Sequence, residues 1–142
     1  MKLTTLLTGA DVTVREYCQL ETFSARCRQG DVIVMTTARF GRMRVGRCID
    51  AGGSSSAALQ KALQSDSHLL GCYADVLGYT DRTCSGKTTC DISVPNRDLL
   101  STRPCFAQLT MYFEAAYQCV SGESPCVHAF NMRHENRQQP EK

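Results

Sequence analysis

A chain of 142 residues, 42% hydrophobic and 21% charged with ten glycines, has the size and composition of one globular domain able to bury a core. That composition excludes a disordered, collagenous or coiled-coil chain. The formal net charge of +2 is too small to point to nucleic acid or an anionic membrane surface, and no apolar run is long enough to insert into a membrane.

Taken in chain order, residues 1–14 form a lead-in. Their first ten carry one lysine and an apolar stretch broken by Thr4, Thr5 and Thr8, too short for a secretory signal of about 15–30 residues. The expectation is a fragment of a longer secreted or membrane protein, or a chain whose signal lies upstream. Residues 11–36 read as strand material: Val12, Val14 and Tyr17 roughly alternate with polar residues, and residues 31–35 are a short buried-strand pattern bounded by Gly30. Residues 39–47 are a basic stretch with two glycines, expected to be a structured loop, and residues 49–56 are glycine- and serine-rich. Ser56 is placed to cap a short helix over 57–64, with Ala58, Leu59, Ala62 and Leu63 on one face.

A second helix is expected over 73–83, turning Val76, Leu77, Tyr79 and Thr80 inward. Ser85, Gly86 and Lys87 then turn the chain, residues 91–94 alternate as a strand, and Pro95 ends it. Residues 96–104 read as a polar loop. Residues 109–120 carry the clearest strand signal, apolar and aromatic with a period of two. From Ser121 the chain turns polar and aperiodic, so 121–142 reads as a tail or linker.

The most informative number is the count of nine cysteines: Cys18, Cys27, Cys48, Cys72, Cys84, Cys90, Cys105, Cys119 and Cys126. A reducing cytosol would keep so many thiols open, whereas a secretory route would oxidise them. Zinc is the rival reading. It calls for closely spaced cysteine or histidine pairs, but no C-x-x-C occurs, and His68, His128 and His134 show no paired spacing with the cysteines. Disulfides are the better reading, and no metal or cofactor is expected.

The cysteine ladder is joined by Phe40-Gly41-Arg42, Cys84-Ser-Gly-Lys-Thr-Thr-Cys90, Arg103-Pro104-Cys105 and Tyr112-Phe-Glu-Ala-Ala-Tyr-Gln-Cys119. In order and spacing these elements resemble the galactose- or rhamnose-binding lectin domain, named from the sea-urchin egg lectin and also found in latrophilin-type receptors. The resemblance covers about residues 15–120, which are taken as one disulfide-rich domain. It implies the pairs Cys18–Cys48, Cys27–Cys119, Cys72–Cys105 and Cys84–Cys90, and leaves Cys126 unpaired. Eight cysteines alone would allow 105 connectivities.

The resemblance also implies a sugar site, and here the residues depart from the family. Gln19 stands for the glutamate after the first cysteine, Phe40 for the tyrosine of a Y-G-R element, and Arg103 for the aspartate of D-P-C. Met111 stands for a lysine at the start of the last strand, Asn96 for an asparagine, and Arg42 keeps the Y-G-R arginine. Carboxylates grip vicinal sugar hydroxyls through charge-assisted hydrogen bonds. Losing two or three such bonds at about 1.5–3 kcal/mol each argues against simple rhamnose or galactose binding. Arg39, Arg42, Arg44, Arg47 and Arg103 could instead offer a basic surface to anionic glycans, although solvated or structural arginines are the plainer reading.

No serine-hydrolase, zinc-protease, phosphate-loop or dinucleotide fingerprint occurs, and Ser85-Gly86-Lys87-Thr88 reads as a turn within a disulfide knuckle. Glu114 reads as a structural partner for an arginine. The expectation is therefore not an enzyme but an α+β, mainly β protein: a small antiparallel β-sandwich with one or two short helices and long disulfide-pinned loops. Its expected function is a carbohydrate-binding, lectin-like module with a divergent sugar site. The alternative is a protein-recognition module of an adhesion or receptor ectodomain. Expected partners are a glycan, including anionic glycans, or a cell-surface protein, in an extracellular or secreted setting.

Overall fold

The computed structural model describes residues 12–49, 70–106 and 109–123. Among the described residues the fold is small, α+β and mainly β, with two short helices and four disulfides. In order it runs β1 (Arg15–Tyr17), β2 (Thr22–Arg26), β3 (Asp31–Arg42), β4 (Cys72–Asp75), α1 (Leu77–Cys84), β5 (Thr89–Ser93), α2 (Arg97–Ser101) and β6 (Tyr112–Ser121). One antiparallel sheet has the order β1-β6-β3-β4, and a second pairs β2 with β5.

Strict alternation in β2 and β5 gives each a single buried face, carrying Phe23 and Ala25 on one strand and Cys90 and Ile92 on the other. That face packs on Ile33, Met35, Ala38 and Phe40 of β3 and on Phe113 and Ala115 of β6, forming one core between the two sheets. Phe23 is its centre. Its ring meets Tyr17, Phe113 and Tyr117 edge-on, with centroids 5.2, 5.7 and 6.0 Å away. Edge-to-face contacts of this kind add about 0.5–1.5 kcal/mol beyond area burial.

The long strand β3 changes phase halfway. Met35 pairs with Tyr117 and Thr37 with Ala116, so Thr36 is the extra residue of a β-bulge. Odd positions (Ile33, Met35) face the core before the bulge and even positions (Ala38, Phe40) after it. A strand period interrupted in this way is harder to read from sequence. Residues 39–42 belong to β3, where a loop over 39–47 was expected. Gly41 makes the pairing with β4 possible: at φ +153° a Cβ there would collide with the Cys72 carbonyl and lie 2.6 Å from Tyr73 Cα.

Other elements differ from the sequence reading for equally local reasons. The helix expected over 73–83 starts at Leu77, because Cys72–Asp75 pairs with β3 as an edge strand. Asp75 Oδ1 accepts from Leu77 N at 2.9 Å and helps begin the helix. Val76 and Thr80 are buried, and Leu77 and Tyr79 pack half-buried against the core, as the expected inward face requires. The polar loop over 96–104 contains α2. Asn96 caps it, its Oδ1 accepting from Leu99 N at 2.9 Å, and the fully buried Leu99 anchors it. The strand expected over 109–120 spans Tyr112–Ser121. The helix expected over 57–64, the three histidines, Cys126, most of the lead-in and most of the tail lie outside the described residues.

Four disulfides pin this frame: Cys18–Cys48, Cys27–Cys119, Cys72–Cys105 and Cys84–Cys90. They are the four pairs that the family resemblance implies. Cys84–Cys90 closes the knuckle that Ser85-Gly86-Lys87 turns. There Gly86 N donates to Ile33 O, and Ile33 N donates to Lys87 O, both at 2.8 Å. Among the described residues no helix is long and apolar enough to cross a membrane.

Candidate functional site

Antiparallel pairing fixes which chain ends meet. Tyr17 pairs with Phe113, Gly41 with Tyr112, Arg42 with Cys72, and Thr22 with Ser93. The C-terminal ends of β1, β3 and β5 and the N-terminal ends of β2, β4 and β6 therefore share one end of the sandwich. Gln19 lies in the β1–β2 turn, Asn96 just after β5, and Met111 just before β6. Arg42 ends β3, and Arg103 is brought to the same end by the Cys72–Cys105 bridge. Phe40 sits two residues in, facing the core. The positions named by the resemblance thus collect at one pole, although they are scattered over some 90 residues of sequence.

What each residue does there is more specific. Phe40 is 0% exposed, a core ring opposite Phe113 and Ala74 in the register. Arg42 is 6% exposed, and its Nη1 donates to Thr110 O at 2.6 Å, which fastens the segment before β6 to the end of β3. Desolvation holds its guanidinium pKa below the usual arginine value. Asn96 is engaged at both ends of its amide, since Nδ2 also donates to the Tyr79 hydroxyl at 2.9 Å. Met111 packs half-buried against the core. Gln19 and Arg103 are exposed. Arg103 has a φ of +45° just past α2, the left-handed position that commonly ends a helix.

The turn carrying Gln19 is held firmly. Glu21 N donates to Cys18 O at 3.0 Å, and Leu20 N to Val94 O at 2.7 Å, while Val94 N donates back to Glu21 O at 2.9 Å. Glu21 Oε2 accepts from Cys18 N at 2.8 Å. Leu20 adopts a φ of +72° and is 90% exposed at the tip. A leucine in the left-handed region persists only where surrounding bonds over-determine it.

The basic stretch is largely neutralised. Arg44 contacts Glu16 Oε1 at 3.2 Å and Glu114 Oε2 at 2.7 Å, and Arg39 reaches Glu114 Oε1 at 3.8 Å. Arg39 also lies over the Tyr73 ring, 5.3 Å from its centroid. Arg47 holds both carboxylate oxygens of Glu21, at 2.6 and 2.8 Å, and donates to Glu16 O as well. That bidentate pair lowers the Glu21 carboxyl to a pKa of about 2, the Arg47 hydrogen bond first and the Cys18 N–H second. Glu16 and Glu21 are the partners that sequence reasoning missed. Their role depends on the β1–β6 register and on the Cys18–Cys48 bridge, neither of which leaves a local signal. Glu114 does carry one, as the acid in an otherwise apolar central strand. Among the described residues no group of acids, histidines and cysteines could hold a metal ion.

Compared with models of known protein families, and with curated proteins, the chain matches none.

Proposed function

We propose that this chain is an extracellular recognition module built on the galactose- or rhamnose-binding lectin frame, with a sugar-binding pole whose chemistry has changed. The observation that carries the reading is the gathering of Gln19, Arg42, Asn96, Arg103 and Met111 at one end of the sandwich, locked by Cys18–Cys48 and Cys72–Cys105. Four disulfides in one small domain favour an oxidising setting, either secreted or in the ectodomain of a receptor. Of the gathered residues, Arg42, Asn96 and Met111 serve the frame, and Gln19 and Arg103 remain outward. The carboxylate this pole does carry, Glu21, is held by Arg47 rather than open to vicinal hydroxyls, so the pole suits an extended glycan better than a single rhamnose or galactose.

A glycan array on the oxidised domain tests this. The reading expects binding to a restricted set of extended glycans, weakened by Arg103→Ala and Gln19→Ala, with little binding to the free monosaccharides. A blank array with the four disulfides intact would overturn it.

The second reading is recognition of a protein partner on a cell surface, as adhesion-receptor ectodomains perform. Leu20 favours it, because a rigid, almost fully exposed leucine is the kind of anchor that fills a pocket on a partner. Cell-surface binding that survives enzymatic removal of glycans, and falls with Leu20→Ser, would favour this reading over the glycan one.

A further inference from the structure

β1 is three residues long, and its pairing with β6 stops at Arg15↔Ala115. On that side residues 116–119 of β6 have no strand neighbour among the described residues. The gap is a groove of about 380 Å³ that includes Arg15, Tyr17, Ser24, Ala115, Tyr117 and Gln118 in its lining. It lies along β6 away from the pole that holds Gln19 and Arg103.

Three properties of the lining point to a ligand. The first is charge. Arg15 is exposed, has no ion-pair partner among the described residues, and faces no acid in the groove lining. The second is rigidity. Tyr17 and Tyr117 are both set edge-on against the fully buried Phe23, so their rings are fixed before anything binds. The third is unused hydrogen-bonding capacity. Tyr117 Oη accepts from Arg26 N at 3.2 Å and keeps its own proton to donate. The Tyr17 hydroxyl has no hydrogen bond among the described residues, although burial is sufficient to raise its pKa.

We infer that this groove is a saccharide subsite for a pyranose bearing a carboxylate. Arg15 would take the carboxylate, and Tyr17, Tyr117 and Gln118 the ring hydroxyls. The volume falls within the range of small-ligand sites, and a single cation among neutral hydrogen-bonding groups selects an anionic sugar over a neutral one. This deepens the proposed glycan-binding function, on which it rests, and moves anionic-sugar recognition from the neutralised 39–47 stretch to Arg15.

The test is an amide-resolved NMR titration of the oxidised chain with methyl α-sialoside, methyl β-glucuronide and, as the neutral probe, methyl β-galactoside. Shifts at residues 13–17 and 115–119 with either acidic sugar are expected, and whichever one binds identifies the source of the carboxylate. Arg15→Gln should weaken that binding by about tenfold, and Tyr17→Phe, which keeps the ring against Phe23, by about three- to tenfold. The amide spectra of the variants themselves report whether each is folded. Absence of shifts at these residues, equal shifts with the neutral probe, or indifference to Arg15→Gln would overturn the inference. Shifts confined to the turn of Gln19 and the loop of Arg103 would also overturn it, while leaving the lectin-type reading in place. A blank array alongside groove shifts would do the reverse.

Discussion

Glu16 on β1 and Glu114 on β6 are directly opposed in the register, and one guanidinium, that of Arg44, contacts both. Like charges facing across a strand pair are destabilising, so the arginine is a condition for closing β1 onto the sheet. Glu114 is only 3% exposed, whereas Arg44 is half exposed, which places the interaction between a surface pair and a buried one. Arg44→Met should therefore destabilise the domain by about 1–3 kcal/mol. Adding Glu114→Gln to Arg44→Met should recover part of that loss, because it removes the buried charge left behind. Urea denaturation of the two variants checks both the size and the recovery.

Glu21 gives a pH signature. Its pKa of about 2 in the folded protein lies below the ordinary 4.5, so folding favours the charged form. The stabilisation is fully present above about pH 4.5 and is lost as the pH falls toward 2. A carboxyl-carbon NMR titration should show the low value directly, and Arg47→Gln should return it toward the ordinary range. Acidification from pH 5.5 to 2.5 should lower the urea midpoint less in Arg47→Gln than in the parent, because the variant has already lost that contribution.

Gly41 is the tightest point between β3 and β4. Gly41→Ala would drive a Cβ into backbone that cannot swing away, since Arg42 pairs with Cys72 and the Cys72–Cys105 bridge holds the neighbouring strand. A loss of about 2–4 kcal/mol is expected, in the range of other strained or overpacked core changes. Ala at Gly30, also at positive φ but with open space around it, should cost about 1 kcal/mol. Thermal unfolding of the pair separates collision from backbone strain.

Much of this frame is legible from the sequence, because strands with one buried face announce themselves by alternation. Residues 91–94 are visible for that reason, residues 31–35 as a short apolar run after Gly30, and residues 109–120 as an apolar and aromatic stretch with a period of two. The missed pieces are those whose identity depends on a distant partner. β4 is four residues that become a strand only against Arg39–Arg42, and β3 disguises its second half by the phase change at Thr36. α2 was hidden by its polar surface, although Asn96 followed by Leu99 is a capping pattern that could have been recognised. The site shows the same division. Residue types at Gln19 and Arg103 can be read from the chain, but not that Phe40 turns into the core or that Glu16 and Glu21 neutralise the arginines.

The disulfides should differ in weight according to the loop each closes. Cys27–Cys119 joins residues 92 apart and Cys84–Cys90 residues 6 apart. Loop-closure entropy alone favours the longer bridge by about 2 kcal/mol. Paired Cys→Ala replacement should lower stability by about 4–5 kcal/mol for the first and about 2 kcal/mol for the second. Denaturation under non-reducing conditions measures the difference, and equal losses would show that the short knuckle acts through its packing against Ile33.

The lectin-type reading of the pole is tested most directly by giving back its missing charges. Gln19→Glu and Arg103→Asp are changes at exposed positions, and aspartate tolerates the left-handed backbone of Arg103 better than arginine does. Titrating L-rhamnose and D-galactose into the parent and the double variant, followed by amide NMR, gives the comparison. Little or no response is expected from the parent and a millimolar response from the variant, centred on the Gln19 turn, the end of β3 and the Arg103 loop. A double variant that folds with all four disulfides and shows no response to either sugar would contradict it.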